Sequence, residues 1–478
     1  MSVNTSPIPN VLADRYASPQ LTQLWTQQSQ IVRERQLWLT VLRTQIKLGY
    51  PASASVVADY ERVVDQVDLE SIRKRELRLR HDVMAGIEEF NALAGHETIH
   101  VGLTSRDVTE NVQQQTIRDS LVIIRDRLIA ALARIEKLSG RFRDQAVVGR
   151  SHNVPAQVTT LGKRFATVGE ELLLGLSAMD HLIDDYPLRG IKGPMGTSAD
   201  QLQILNGESG VAALEQAVAG ALGFDHVLGS VGQVYPRSLD LAVVDVLIRA
   251  TAPLSSLATT IRLMAGTGQA SEGFADGQAG SSAMPHKMNA RTCERVHGLY
   301  AVLGGSHEQL AAVVGDQWYE GDVTCSVVRR VAIPNAFFAA DGLILSMLGV
   351  LDAFEAFPEV IAAELKRYLP FLATSRILMA AVEDGAGRET AHAVIKEHSV
   401  AVAKAMRQSE TASNDLLERL SGDRRLGLTI GALTKLVHTD PLSYAGLARE
   451  QTDRFRTRAT KLLARYPKAA AYSPGAML

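Results

Sequence analysis

The sequence predicts an all-α protein of three helical domains, the central one a bundle of long helices. Three observations carry this. Apolar residues recur at steps of three and four over five long stretches of the middle of the chain, which places them on single helix faces. Strand-like alternation is scarce. Aromatic residues make up only 5% of the 478 residues, so the helices can pack closely, both with one another and with further copies of the chain.

Taken in order, residues 1 to about 105 read as shorter helices broken by Pro51 and by turns at Gly95 and Gly102. Residues 106–365 hold the five stripes. The first runs from Ile117 through Leu121, Ile124, Leu128, Leu132 and Ile135 to Leu138, opened by a capping box of Thr104 with Asp107. The second passes through Leu161, Phe165, Val168, Leu172, Leu176, Met179 and Ile183. The third passes through Val243, Leu247, Leu254, Ile261 and Met264, with a kink expected at Pro253. Two more span Val296 to Val314 and Val327 to Leu351, and a glycine-rich loop, 266–290, separates them from the third. Helices of roughly 25 to 30 residues extend about 40 Å each. Residues 366–478 return to short helices.

A formal net charge of −2, from 50 basic and 52 acidic residues, gives no bulk attraction for nucleic acid or an anionic membrane. An anionic substrate would need local cations. Cys293 and Cys325 form neither a CxxC pair nor a zinc spacing. Met1 to Tyr16 lacks a signal pattern, and no uncharged apolar run reaches the roughly 18 to 20 residues that cross a bilayer. The expectation is a cytoplasmic protein with no membrane or nucleic-acid partner.

The segment Gly280-Ser-Ser-Ala-Met-Pro-His-Lys-Met-Asn289 is the strongest chemical signal. Glycines upstream permit movement, Ser281 and Ser282 supply hydroxyls, and Lys287 offers a charge to an anion that develops during reaction. It matches neither GxxxxGK[ST] nor a strand followed by GxGxxG, so nucleotide-fold readings fail. Arg150-Ser-His-Asn-Val-Pro-Ala-Gln157 places His152 among hydroxyl, amide and guanidinium groups ahead of the second long helix, where an imidazole can exchange a proton near neutral pH. Taken alone, such a histidine is more often a capping or core residue.

His96-Glu-Thr-Ile-His100 has the HExxH spacing of zinc proteases, but Gly95 and Gly102 leave barely one helical turn for it and no third ligand follows. No metal is expected. Thr104 and Ser105 at a helix N-terminus, Arg15-Tyr16, and Arg80-His81-Asp82 are groups that can grip a phosphate or carboxylate. Arg329-Arg330, close after Trp318 to Asp322, suggests a second anion cluster.

These motifs together resemble the fumarase/aspartase superfamily and, within it, the adenylosuccinate lyase family. The resemblance spans nearly the whole chain: HVGLTSRD around Thr104, RSHNVPAQVTTLGKRFA around His152, GIKGPMGT at Gly190, SVGQVYPRS around Gln233, GSSAMPHKMN, WYEGDV near Trp318 and RYLPFLAT near Leu369. It implies a homotetramer with a twenty-helix core, sites assembled from three subunits, and a carbon–nitrogen lyase needing no cofactor. The substrates implied are adenylosuccinate and succinylaminoimidazole-carboxamide ribotide, each losing fumarate.

By the same resemblance Ser281 is the base and His152 the acid, with Lys287 and Asn289 favouring the alkoxide, Ser282 on a substrate carboxylate, His100 orienting substrate or relaying a proton, and Glu294 as the acidic residue after the loop. Arg15, Tyr16, Arg80, His81, Asp82, Thr104, Ser105, Gln233, Ser326 and Arg330 take binding roles. Two positions depart from many relatives. Ser151 stands where they carry threonine, and Gly321 stands at an arginine position, so that one anion contact is either missing or supplied by Arg295 or Arg329. An argininosuccinate lyase, a cycloisomerase or a non-catalytic bundle protein are the competing assignments.

Overall fold

The computed structural model describes residues 9–274, 283–284, 286–409, 412–437 and 440–475. Helices dominate it from end to end. The N-terminal part contains Val11–Arg15, Pro19–Leu24, Gln27–Lys47, Ala54–Arg62, Leu69–Leu79 and Asp82–Ala94. The breaks expected at Pro51 and Gly95 are present, and Gly95 ends its helix with φ 75°, left-handed backbone that glycine adopts without steric cost. Gln27–Lys47, at 21 residues, is longer than the sequence suggested.

Five central helices follow: Ser105–Arg141, Leu161–Asp185, Ser238–Gly266, Arg291–Ala311 and Thr324–Ala353. Each coincides with one predicted stripe. The first is the longest at 37 residues, roughly 55 Å of rod at 1.5 Å per residue. Its capping box forms, with the Thr104 N–H donating to Asp107 Oδ2 at 2.8 Å. The third helix runs through Pro253 as one element.

The third and fifth central helices are long and apolar enough by composition to cross a bilayer. In the bundle 61% of the third helix's most apolar window and 83% of the fifth's are buried.

An antiparallel hairpin, β1 (Ala146–Ser151) with β2 (Val154–Thr160), links the first and second central helices, where the sequence suggested only a lead into a helix. Its two-residue turn is His152-Asn153, with φ of 49° and 60°, the paired left-handed geometry that suits the twist of a tight hairpin. Alternate residues of β1 face opposite ways. Val147 enters the main core, while Val148, with Val158 of β2, enters a second core formed by residues 365–437. The hairpin thus spans the seam between two apolar cores.

The main core is continuous from Leu21 and Trp38 in the N-terminal helices to Leu348 in the fifth central helix. Helix Ala448–Leu463 leaves the second core and lies back on the first two central helices. Phe455 is fully buried there, against Gly169, a burial of about 1.5–3 kcal/mol. Arg143 grips Asp453 with two nitrogens, and Arg456 pairs with Glu136 at 2.8 Å.

Candidate active site

Three loops are laid one on another over the N-terminus of the first central helix. A side chain at Gly196 (φ 76°) would lie 1.8 Å from the Val231 carbonyl, and one at Gly232 would lie 2.1 Å from the Glu320 carbonyl. Only glycine permits that approach. The GIKGPMGT, SVGQVYPRS and WYEGDV segments are therefore adjacent in space, and the Gln233 N–H donates to the Glu320 carbonyl at 2.6 Å.

Beneath them Asp107 accepts from the backbone N–H groups of Lys192 (2.9 Å) and Gly193 (3.0 Å) and from the Arg189 guanidinium (2.5 Å). Asp107 and Arg189 are both fully buried. A second buried network joins Glu110, Arg237, Asp240, Tyr235 and Arg329, two carboxylates matched by two guanidiniums. Burial opposes the charge on Glu110, but Arg329 and Arg237 outweigh it and hold the carboxyl near 2. This ties the first, third and fifth central helices together where the loops cross.

Arg329 is consequently not the anion-binding residue that its place beside Arg330 suggested. It is 2% exposed and each of its nitrogens bonds to Asp240, Glu110 or Tyr235, so it is buried away from a substrate and does not stand in for an arginine where Gly321 stands. Its neighbour behaves differently. Arg330 is exposed and pairs with Asp82 at 3.0 Å. This joins the fifth central helix to the turn Arg80-His81-Asp82. Arg80 ends one helix in left-handed backbone (φ 54°), and His81 caps the next by accepting from the Met84 N–H at 3.3 Å.

Arg15 and Tyr16 close the first short helix. The Arg295 guanidinium lies 5.8 Å from the Tyr16 ring centre, so the N-terminal pair and the fourth central helix share a corner. Glu294, one residue earlier, faces Arg262 at 3.6 Å. Ser105 begins the first central helix, and the Ser326 N–H donates to the Val323 carbonyl. Lys287 is exposed and its N–H bonds to the Met284 carbonyl, while Asn289 is partly buried. His152 is exposed at the tip of the hairpin. Ser281 and Ser282 lie outside the described residues.

The two histidines of the HExxH spacing do not share a helix face. Residues 96–98 have no regular structure, and bends and turns follow over 99–102. His96 pairs with Asp59 at 2.7 Å, and His100 Nδ1 faces the Trp38 indole nitrogen at 3.0 Å. Among the described residues no group of three His, Cys, Asp or Glu side chains converges on a metal position.

A family model described as Lyase matches residues 26–305, and one described as Adenylosuccinate lyase C-terminus matches residues 370–455. The adenylosuccinate lyase of Saccharomyces cerevisiae is 34% identical over 452 residues, covering 93% of both chains. The chain belongs to the adenylosuccinate lyase family. Other family members agree over similar lengths: the Schizosaccharomyces pombe enzyme is 32% identical over 93% of both chains, and that of Archaeoglobus fulgidus 27% over 92% of this chain and 96% of its own. Among solved structures, a fumarate lyase from Mesorhizobium sp. BNC1 superposes with TM-score 0.79 over 94% of this chain and all of its own, at 19% identity. A 3-carboxy-cis,cis-muconate lactonizing enzyme from Pseudomonas putida does so with TM-score 0.81 over 95% and 99%, at 18% identity. At those identities the likeness is one of fold. As a member of this family the chain is a lyase, with a role in purine biosynthesis.

Trp38 and the carboxylates Glu110 and Asp240 carry no distinguishing signal in the sequence. Trp38 stands in the run Leu37-Trp-Leu39 and reads as core, which it also is. Nothing local distinguishes a tryptophan that only fills space from one whose N–H meets an imidazole.

Proposed function

We propose that this chain removes fumarate from adenylosuccinate, leaving AMP, and from succinylaminoimidazole-carboxamide ribotide, leaving aminoimidazole-carboxamide ribotide. The observation that carries this is the near-full-length likeness to adenylosuccinate lyases. Ser281 takes the proton beside a carboxylate of the succinyl arm, giving a doubly charged aci-carboxylate, and His152 protonates the departing nitrogen. Serine is a weak base at its free pKa. Lys287, Asn289 and backbone N–H groups favour its alkoxide, and Ser282 donates to a substrate carboxylate. Arg15, Tyr16, Arg80 and Arg330 hold the phosphate and carboxylate charges, with His81, Asp82, Thr104, Ser105, Gln233, Arg295 and Ser326 around them and Glu294 behind the loop.

The active form is a homotetramer in the cytoplasm, with no cofactor. Leu174, Leu263, Val302 and Val327 stand exposed on four different central helices, apolar surface that a bundle of subunits would cover. The exposure of His152 at a hairpin tip fits an acid delivered to a neighbouring subunit's site. Turnover of both succinylated nucleotides, followed by ultraviolet absorbance, tests the assignment. Ser281→Ala and His152→Ala should each lower kcat by about 10²- to 10⁴-fold with the helical circular dichroism unchanged. Wild-type protein inert towards both nucleotides would end the reading.

A further inference from the structure

Helix Gln27–Lys47 carries Trp38 into the core, where it is 1% exposed and its ring stacks on Phe90 at 6.4 Å. The indole cannot turn away from what it faces. Its Nε1 lies 3.0 Å from His100 Nδ1, with the two rings edge to face at 6.0 Å and 80°. An indole N–H can only donate, so Nδ1 must present its lone pair and the proton of neutral His100 must sit on Nε2. His100 is held there by unusual backbone, with φ 66°. Its Nε2 meets no hydrogen-bond partner among the described residues, and the ring is only partly buried. The donor is therefore left unmet by the described chain.

We infer that Trp38 is a positioning residue that fixes His100 as an Nε2–H hydrogen-bond donor, so that His100 orients a substrate acceptor atom and does not act as a second proton-exchanging acid. This rests on the proposed lyase reading for the identity of the substrate, but not for the state of the imidazole. The electrostatic surroundings agree. Burial lowers the proton affinity of His100, Asp107 on the first central helix opposes that, and His81 on the neighbouring turn adds to it. Protonation would also set an Nδ1–H against the Trp38 N–H, two donors facing each other.

The test has two variants and two readouts. Trp38→Phe keeps an aromatic ring without the N–H. Should that variant fold poorly, benzothienylalanine at position 38 keeps the bicyclic volume and replaces only the N–H by sulfur. In full-length protein labelled with ¹⁵N-histidine, the wild-type His100 signals should report protonation at Nε2 alone. In either variant the Nδ1–H form should appear and the midpoint for charging His100 should rise by roughly one pH unit.

In kinetics, KM for adenylosuccinate should gain a dependence on pH on the acid side while kcat at the alkaline plateau is retained. A purely packing role would change melting temperature and leave tautomer and profile as they were. An unchanged tautomer and midpoint in a folded variant would overturn the inference. Wild-type protein inert towards adenylosuccinate would refute the substrate reading alone, because the nitrogen signals are read without turnover.

Discussion

Glu34 lies one helical turn before Trp38, partly buried near Asp82, and burial with the neighbouring carboxylate raises its pKa from 4.5 to about 7. The sign of the consequence follows from proton counting. Between pH 4.5 and 7 the folded chain holds a proton that the unfolded chain releases, so Glu34 costs no stability below about pH 4.5 and its full cost is reached above pH 7. Glu34→Gln should therefore melt at a higher temperature than wild type at pH 8, and the two should converge near pH 4.5. A constant difference across that range would show that Glu34 is not a strained carboxyl.

Residues of this kind mark the limit of what the sequence reveals. Arg329 and Arg330 are chemically identical neighbours, and only the fold shows one buried among Glu110, Asp240 and Tyr235 and the other exposed on Asp82. Replacing Arg329 with methionine would leave Glu110 and Asp240 short of a counter-charge inside the bundle. A loss of about 3–5 kcal/mol in denaturant unfolding is expected, against less than about 1 kcal/mol for Arg330→Met at the surface.

At the scale of elements, the five central helices were legible because each keeps a three-to-four apolar period over many turns. Core packing reinforces that period at every step. The hairpin was not legible. Pro155, Gly149 and the polar run Ser151-His152-Asn153 mask its alternation, and only Val147, Val148, Val158 and Thr160 are buried across its thirteen strand residues. Its form is decided by the two cores it bridges and by a turn that needs left-handed backbone at two positions.

Asparagine tolerates that geometry, glycine adopts it freely, and a β-branched residue pays roughly 1–2 kcal/mol for it. Asn153→Gly should accordingly keep turnover. Asn153→Val should displace His152 and lower kcat at least tenfold while the melting temperature of the long-helix bundle changes little. Equal kcat in the two variants would mean that the turn does not set the position of the proposed acid.

For the whole molecule, the proposed homotetramer raises the question of where one subunit's site would end and the next begin. Within the single chain, His152 sits on the hairpin at the seam of the two cores, whereas the Asp82–Arg330 pair and the Tyr16–Arg295 corner join the fourth and fifth central helices to the N-terminal turns. If the acid and the base of one site come from different subunits, two inactive variants can repair each other. Ser281→Ala and His152→Ala subunits, dissociated together and reassembled at equal ratio, would form hybrid tetramers in which about one quarter of sites receive both native residues by random draw. Activity should recover to about that fraction of wild type, and neither variant reassembled alone should gain any. Mixed tetramers that stay inactive, with hybrid formation shown by native mass spectrometry of differently tagged subunits, would place both residues on one chain and refute the shared-site arrangement while leaving the chemistry intact.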